Sequence, residues 1–306
     1  MTEYDLTPNL VAYIDASAMF KARDESLQSR REAFATACRH FTPQAPANVS
    51  FFDDAIGNLA IRIYLPNGEA PDGGWPTLLY LHGGGWNMGS HTTHDWFAFA
   101  LLKRMQVAIV AVDYRLAPEH PYPAPLEDAL TVWRALREGK WSALSRERLI
   151  VAGDSAGGTI AAGLCVAIRE SAMEQPLLQV LVYPVLTDSV HLPSMQQHAY
   201  APMLTTAGLL TSLQGYVPTP SHRDHPQALP LKLQDTSGLA PAFIGVAEYD
   251  PLCDQGKAYA ALLQDGGIPA DLHIGQGLVH ASLRAKEVEQ VELFYDAIAK
   301  AVQRAI

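Results

Sequence analysis

Cysteine is scarce in this 306-residue sequence, which holds only Cys38, Cys165 and Cys253. They are far apart, odd in number and form no Cys-x-x-Cys pair, so neither a zinc ribbon nor a dithiol redox site is suggested. Free thiols in a reducing compartment are the expectation. Long apolar runs are missing too. No stretch approaches the ~18 uninterrupted apolar residues of a membrane span. The opening MTEYDLTPNL lacks a basic segment followed by an apolar one, so no secretory signal is visible and a cytoplasmic location is expected. Positive charge is in deficit: 22 Lys and Arg stand against 32 Asp and Glu, a formal net charge of -10. Such a field repels phosphate backbones and anionic headgroups, which argues against nucleic acid or a lipid surface as partner. There is no internal repeat and no low-complexity tract.

What is present is the composition of an ordinary soluble globule, 48% hydrophobic and 18% charged. Residues 8–40 read as two helices, the first with Leu10, Val11, Ile14 and Met19–Phe20 near one face, the second with Phe34, Ala37 and Cys38 on its apolar side. Pro43 and Pro46 end the helical pattern. Val49–Phe52 and Leu59–Tyr64, separated by Asp53–Asp54 and Gly57–Asn58, read as a hairpin. From Thr77 the texture changes. Short apolar runs (78–81, 107–112, 149–152, 177–183, 243–247 and, more weakly, 272–274) alternate with helical candidates near 94–106, 125–138, 156–170, 254–265 and 285–304. Runs apolar on both faces, alternating with helices, predict an α/β fold with a mostly parallel, doubly wound sheet. Residues 187–240 break the rhythm. They are polar and rich in Pro, His and Gln, and a plain loop of that length is unusual in a compact domain. An inserted cap is the better account. The expected organisation is residues 1–45 as N-terminal helices joining a cap, 46–186 as the first part of a catalytic core, 187–225 as the cap insertion and 226–306 as the second part of the core.

The run Leu149 to Gly158 is a strand, a sharp turn and a helix start, with G-x-S-x-G at 153–157. This is the nucleophile-elbow pattern of α/β hydrolases. A serine in a strained bend is lifted clear of the sheet, and only glycine fits on its flanks. The helix that follows points its N-terminus at the site, where negative charge is favoured. Alone the motif is weak, and a Gly-rich strand-to-helix turn with an N-capping residue is the competing reading; the β-branched run before it and the small-residue helix after it favour the nucleophile. A second signal is more specific: His82-Gly83-Gly84-Gly85-Trp86 follows the run Leu78–Leu81. Backbone N–H groups on a glycine loop can approach and stabilise the oxyanion of an acyl-transfer intermediate. A phosphate cradle would carry a Lys or a G-x-G-x-x-G spacing, and neither is here. His82 itself is read as a loop-holding residue.

In this fold the order along the chain is Ser, acid, His. Asp250 lies just past the run 243–247, and Pro251 holds it out of helix geometry. Asp254 is the rival, with helix capping as its ordinary role. His280 sits on the loop Gly275–Val279 that follows the last strand, whereas His273 lies inside that strand, and His191, His198, His222 and His225 belong to the insertion. The expected triad is Ser155, His280 and Asp250, with His280 as base and Asp250 fixing its tautomer.

These residues resemble bacterial esterases similar to mammalian hormone-sensitive lipase. The resemblance spans nearly the whole chain and rests on His82–Trp86, on G-D-S-A-G-G at 153–158, on Asp250-Pro251-Leu252, on His280, and on the stretch Asp113–Ala124 (DYRLAPEHPYPA), which by itself shows only a strand end and a Pro-rich turn. It implies an α/β-hydrolase fold with eight strands, helices on both faces and a helical cap. It further implies oxyanion donors at the N–H groups of Gly84, Gly85 and Ala156, with Gly83 serving the turn. No cofactor or metal is implied, and the partner is a small-molecule ester with a short or medium acyl chain. A homodimer is left open. The sequence departs from the family at Cys253, where Arg is common, and at Ala281–Ser282, where a small residue and then Phe are common; both bear on substrate preference. Trp86, Tyr183, Met203, Leu204 and Tyr216 are pocket candidates, with ordinary core packing as the competing role for each. A ligand receptor with a decayed triad would be expected to lose the histidine, and a dehalogenase would need a carboxylate at 155. Lactonase, amidase and thioesterase chemistry would use the same residues and are not separated from ester hydrolysis by sequence.

Overall fold

A computed structural model describes residues 4–306. Helices α1 (Pro8–Ser17) and α2 (Leu27–Phe41) come first, and the Ser26 side chain caps α2 by accepting from the Ser29 N–H at 3.1 Å. Strands β1 (Val49–Ile56) and β2 (Leu59–Pro66) form the hairpin, turning on Gly57–Asn58 with Gly57 at φ +60. Asp53 and Asp54, expected as a break between runs, lie inside β1. β1 is a largely exposed edge strand, so its polar face carries charge without cost: Asp53 accepts from Arg62 across the ladder at 2.7 Å, and Asp54 from Trp141 Nε1 at 2.7 Å.

The remaining elements alternate. They are β3 (Trp75–Leu81), α3 (Asp95–Leu102), β4 (Ala108–Val112), α4 (Ala124–Glu138), β5 (Leu144–Asp154), α5 (Ala156–Glu170) and β6 (Gln179–Val182). Then follow α6 (Pro193–Gln197), α7 (Thr206–Tyr216), β7 (Ala242–Tyr249), α8 (Cys253–Asp265), β8 (Ala270–Val279) and α9 (Glu289–Ala305). The eight strands form one sheet in the order β1-β2-β4-β3-β5-β6-β7-β8. β2 pairs antiparallel with β1 and β4, and every later neighbour pair is parallel. β8 is longer than its weak apolar run suggested, because it is the other edge and its outer residues stay half-exposed.

Successive residues of a strand face opposite sides, and the sheet uses both. Leu79, Leu81, Val110 and Val151 pack with Trp133 of α4 and Ile160 of α5. Leu78, Tyr80, Ile109 and Ile150 pack with Phe97 of α3 and Phe294 of α9. The continuous apolar runs of the central strands are therefore explained by helices on each face. The segment between β6 and β7 leaves the sheet and carries α6, α7 and two short 3₁₀ turns. Thr205 caps α7 by accepting from the Gly208 N–H at 3.1 Å. No helix among the described residues is long and apolar enough to cross a membrane. Cys38, Cys165 and Cys253 are free and buried.

One close approach sets how α9 lies on the sheet. A Cβ on Gly245 of β7 would stand 2.3 Å from Cζ of the fully buried Phe294. The ring occupies the space a side chain would need. Gly245→Ala is expected to cost about 2 kcal/mol by overpacking, read as a lowered urea midpoint with an unchanged slope; an unaltered midpoint would show that α9 yields freely.

Candidate active site

β5 ends at Asp154, α5 begins at Ala156, and Ser155 forms the bend between them at φ 52, ψ −120. The bend survives because its flanks are glycine. A Cβ on Gly153 would meet the Gly157 oxygen at 2.3 Å, one on Gly157 the Leu81 oxygen at 2.0 Å, and one on Gly158 the Pro184 Cβ at 2.8 Å. The Ser155 N–H donates to the Val182 carbonyl at 2.8 Å, which ties the bend to the end of β6.

The three side chains that sequence singled out meet here. His280 Nε2 lies 2.9 Å from Ser155 Oγ, and His280 Nδ1 lies 2.7 Å from Asp250 Oδ2. Asp250 is fully buried just beyond β7, and its Oδ1 accepts from the Leu252 N–H at 2.9 Å. His280 follows β8, with the Tyr183 ring centred 4.6 Å from its own. The rival residues are engaged elsewhere. Asp254 accepts from the Ser194 N–H and from Lys257, His273 packs edge-on against Phe294, and His82 bonds the Gly83 carbonyl through Nδ1 at 2.8 Å.

Ser155 and His280 open into a cavity of about 500 Å³. Gly84, Gly85, Trp86, Tyr183, Met203 and Leu204 line it. Ala156 is buried at the first turn of α5, directly after Ser155. Tyr216 does not reach the cavity. It is buried behind Trp86, the two rings stacked 4.5 Å apart, so it backs the wall instead of forming it. Trp86, Ser155, Tyr183, Met203 and Ala281 all combine a positive φ with a place on this wall. Among the described residues only Ala172 and Glu287 share that backbone without glycine elsewhere. Such residues cost about 1–3 kcal/mol each, and their gathering at one cavity makes it the candidate site.

Comparison with known proteins agrees with this fold. Residues 78–284 match the family described by the alpha/beta hydrolase fold. The chain belongs to that family. Within it, the chain falls in the hormone-sensitive-lipase-like esterase branch. It is 40% identical over 234 residues to the carboxylesterase NlhH of Mycobacterium tuberculosis, covering 74% of this chain and 72% of that one. It is 39% identical over 230 residues to an ethyl acetate hydrolase of Pseudomonas putida, covering 74% and 72%. Its structure superimposes on that of the ester-hydrolase EH1AB1 from the metagenome of Lake Arreo with a TM-score of 0.88, at 32% identity, over 98% of both chains.

This α/β hydrolase also holds its glycine loop with residues that sequence reasoning passed over. Asp154 is buried beneath the loop, where it accepts from the Gly83 N–H at 2.8 Å and from the Tyr80 hydroxyl at 2.5 Å, with His94 Nε2 at 3.7 Å. Burial alone would raise its carboxyl, but His94 and these donors hold it below the usual carboxylate range. Tyr114 donates to the His82 carbonyl at 2.6 Å, the Ala117 N–H donates to the Trp86 carbonyl at 2.8 Å, and Arg31 of α2 donates to the Asn87 carbonyl at 2.8 Å. The DYRLAPEHPYPA stretch is thus a brace for the loop. The signal for Asp154 was present in its place beside Ser155; nothing in the sequence placed α2 against the loop.

Burial, with His94 alongside, pushes the His82 imidazole down to about 4 from 6.5. Its folded value lies below its unfolded one, so between pH 6.5 and 4 the unfolded chain takes up a proton that the folded chain refuses. Stability is therefore lost as pH falls through that window, by roughly 3 kcal/mol from this group. Urea midpoints measured across the window should fall more steeply in the wild type than in His82→Asn. Equal slopes would remove His82 as the cause.

Proposed function

We propose that this carboxylic ester hydrolase cleaves short- to medium-chain acyl esters through an acyl-serine intermediate. The reading is carried by one observation, the continuous relay from Ser155 Oγ through His280 to Asp250, at 2.9 and 2.7 Å, opening on the glycine loop.

In this mechanism His280 takes the Ser155 proton through Nε2 as Oγ attacks the ester carbonyl carbon. Asp250 accepts from Nδ1–H, keeps Nε2 free to receive the proton, and stabilises the imidazolium that forms. The carbonyl oxygen becomes an oxyanion facing the N–H groups of Gly84, Gly85 and Ala156, where the first turn of α5 adds its positive end. The tetrahedral intermediate collapses, the C–O bond to the alcohol breaks, and His280 returns its proton to that alkoxide. Water then repeats the sequence on the acyl-serine: His280 deprotonates it, the acid leaves, and Ser155 recovers its hydrogen.

Residues 1–45, of which 1–3 lie outside the described residues, and 187–225 form a cap over a core of 46–186 and 226–306 in this reading. The placement of Phe34 of α2, of Met203 and Leu204, and of Leu209 of α7 on the cavity wall supports this. A short or medium acyl chain fits a wall of Trp86, Met203 and Leu204 in a cavity of about 500 Å³. That the Pseudomonas putida relative is an ethyl acetate hydrolase is in keeping with a short acyl chain.

A p-nitrophenyl ester series from acetate upward should be hydrolysed fastest at its short end. Ser155→Ala should lower kcat by a factor on the order of 10⁴ or more, and retained turnover would sink the assignment. Gly84→Ala keeps the N–H but sets a Cβ 2.4 Å from the Met88 carbonyl oxygen at a φ of +123, so it should displace the donor and lower kcat by about 10² with less change in KM.

A further inference from the structure

Arg284 stands out among the cavity residues. It sits on the short turn between β8 and α9, four residues past His280, and lines the same cavity as Ser155. It is only 9% exposed. A guanidinium stays charged wherever it is placed, and one withdrawn from water ordinarily has a carboxylate beside it. Arg284 has none. Nε donates to the Tyr13 hydroxyl at 3.1 Å, Nη1 points at Cys38 Sγ at 3.3 Å, and the Phe34 ring centre lies 5.6 Å from the guanidinium carbon. Burial pushes the Cys38 thiol up despite Arg284, so this partner remains neutral. Nη2 has no acceptor among the described residues.

The other charges on the wall do not balance it. Asp154 is the one carboxylate there, and its oxygens are engaged by Tyr80, Gly83 and His94. Arg30 of α2, exposed and also on the wall, adds a second cation. On the wall itself two guanidiniums thus stand against one carboxylate, with Asp250 buried behind His280 as its partner. Inside a low-dielectric pocket such an unpaired cation favours an anionic guest far more than a surface cation would.

We propose that Arg284 anchors an anionic group of the substrate, so that the preferred esters carry a free carboxylate on the acyl or the alcohol side. This rests on the ester-hydrolase reading of the same site. The carboxylate is held and released unchanged while the ester bond is hydrolysed as described. Arg284 is then a specificity residue, and its contribution lies in binding.

Two matched pairs of esters test this, with hydrolysis followed by pH-stat titration on the wild-type protein. Monoethyl glutarate against ethyl pentanoate places the charge on the acyl side; 4-acetoxybenzoate against phenyl acetate places it on the alcohol side. In at least one pair the charged member should show a kcat/KM about tenfold or more above its neutral partner, and the responding pair identifies the side. Arg284→Met should reduce that ratio by about tenfold, mainly through KM, and Arg284→Lys should restore part of it. Free glutarate should also inhibit wild-type hydrolysis of ethyl pentanoate competitively, a readout that does not depend on any variant folding. Neutral members preferred in both pairs, or a ratio indifferent to Arg284→Met, would overturn the assignment of Arg284 while leaving the esterase reading intact. No turnover of any of the four esters would sink both.

Discussion

The end of β3 and the start of α5 cross so closely that their backbones touch. The Leu81 carbonyl occupies the space where a side chain at position 157 would begin. That approach brings the glycine loop, which continues from β3, to the bend that presents Ser155. Hydrogen bonds then secure what the crossing allows. Asp154, one residue before the bend, accepts the Gly83 N–H, and Ser155 itself donates back to β6. The proposed nucleophile and the proposed oxyanion donors are therefore held by one connected piece of backbone, which is how a site keeps donors aimed at charge that exists only briefly.

The second half of the site is assembled differently. Asp250 and His280 stand at the ends of β7 and β8, neighbouring parallel strands, and the sheet sets their separation. Parallel strands deliver their carboxyl ends to the same edge, so residues 125 positions apart in the chain meet there without a dedicated scaffold. Tyr183, at the end of β6, fills the gap beside the imidazole.

Much of this was legible in the sequence because its causes are local. A bend that admits only glycine leaves G-x-S-x-G behind, strands covered on both faces leave unbroken apolar runs, and a proline after Asp250 marks a loop. The order of acid and base along the chain followed from the order of the strands. What could not be read were contacts between distant segments. Tyr216 looked like a pocket residue because it is aromatic and lies in the insertion, yet packing on Trp86 turns it away from the cavity. Arg284 carried no motif at all, and its burial against Tyr13 and Cys38 exists only once α1 and α2 have docked. Asp53 and Asp54 resembled a break until the exposure of an edge strand explained them.

The docking of those first two helices joins the two halves of the site. Arg31 fastens α2 to the loop after the glycines, and Tyr13 fastens α1 to the carbonyl of Ala281, beside the histidine. The beginning of the chain thus bridges the two halves of the site, held by these polar contacts and by Leu10, Tyr13 and Phe41 buried in the core on that face, with none of the sheet's ladder bonds. A substitution in either helix can therefore disturb both sides of the site without altering a single strand pairing.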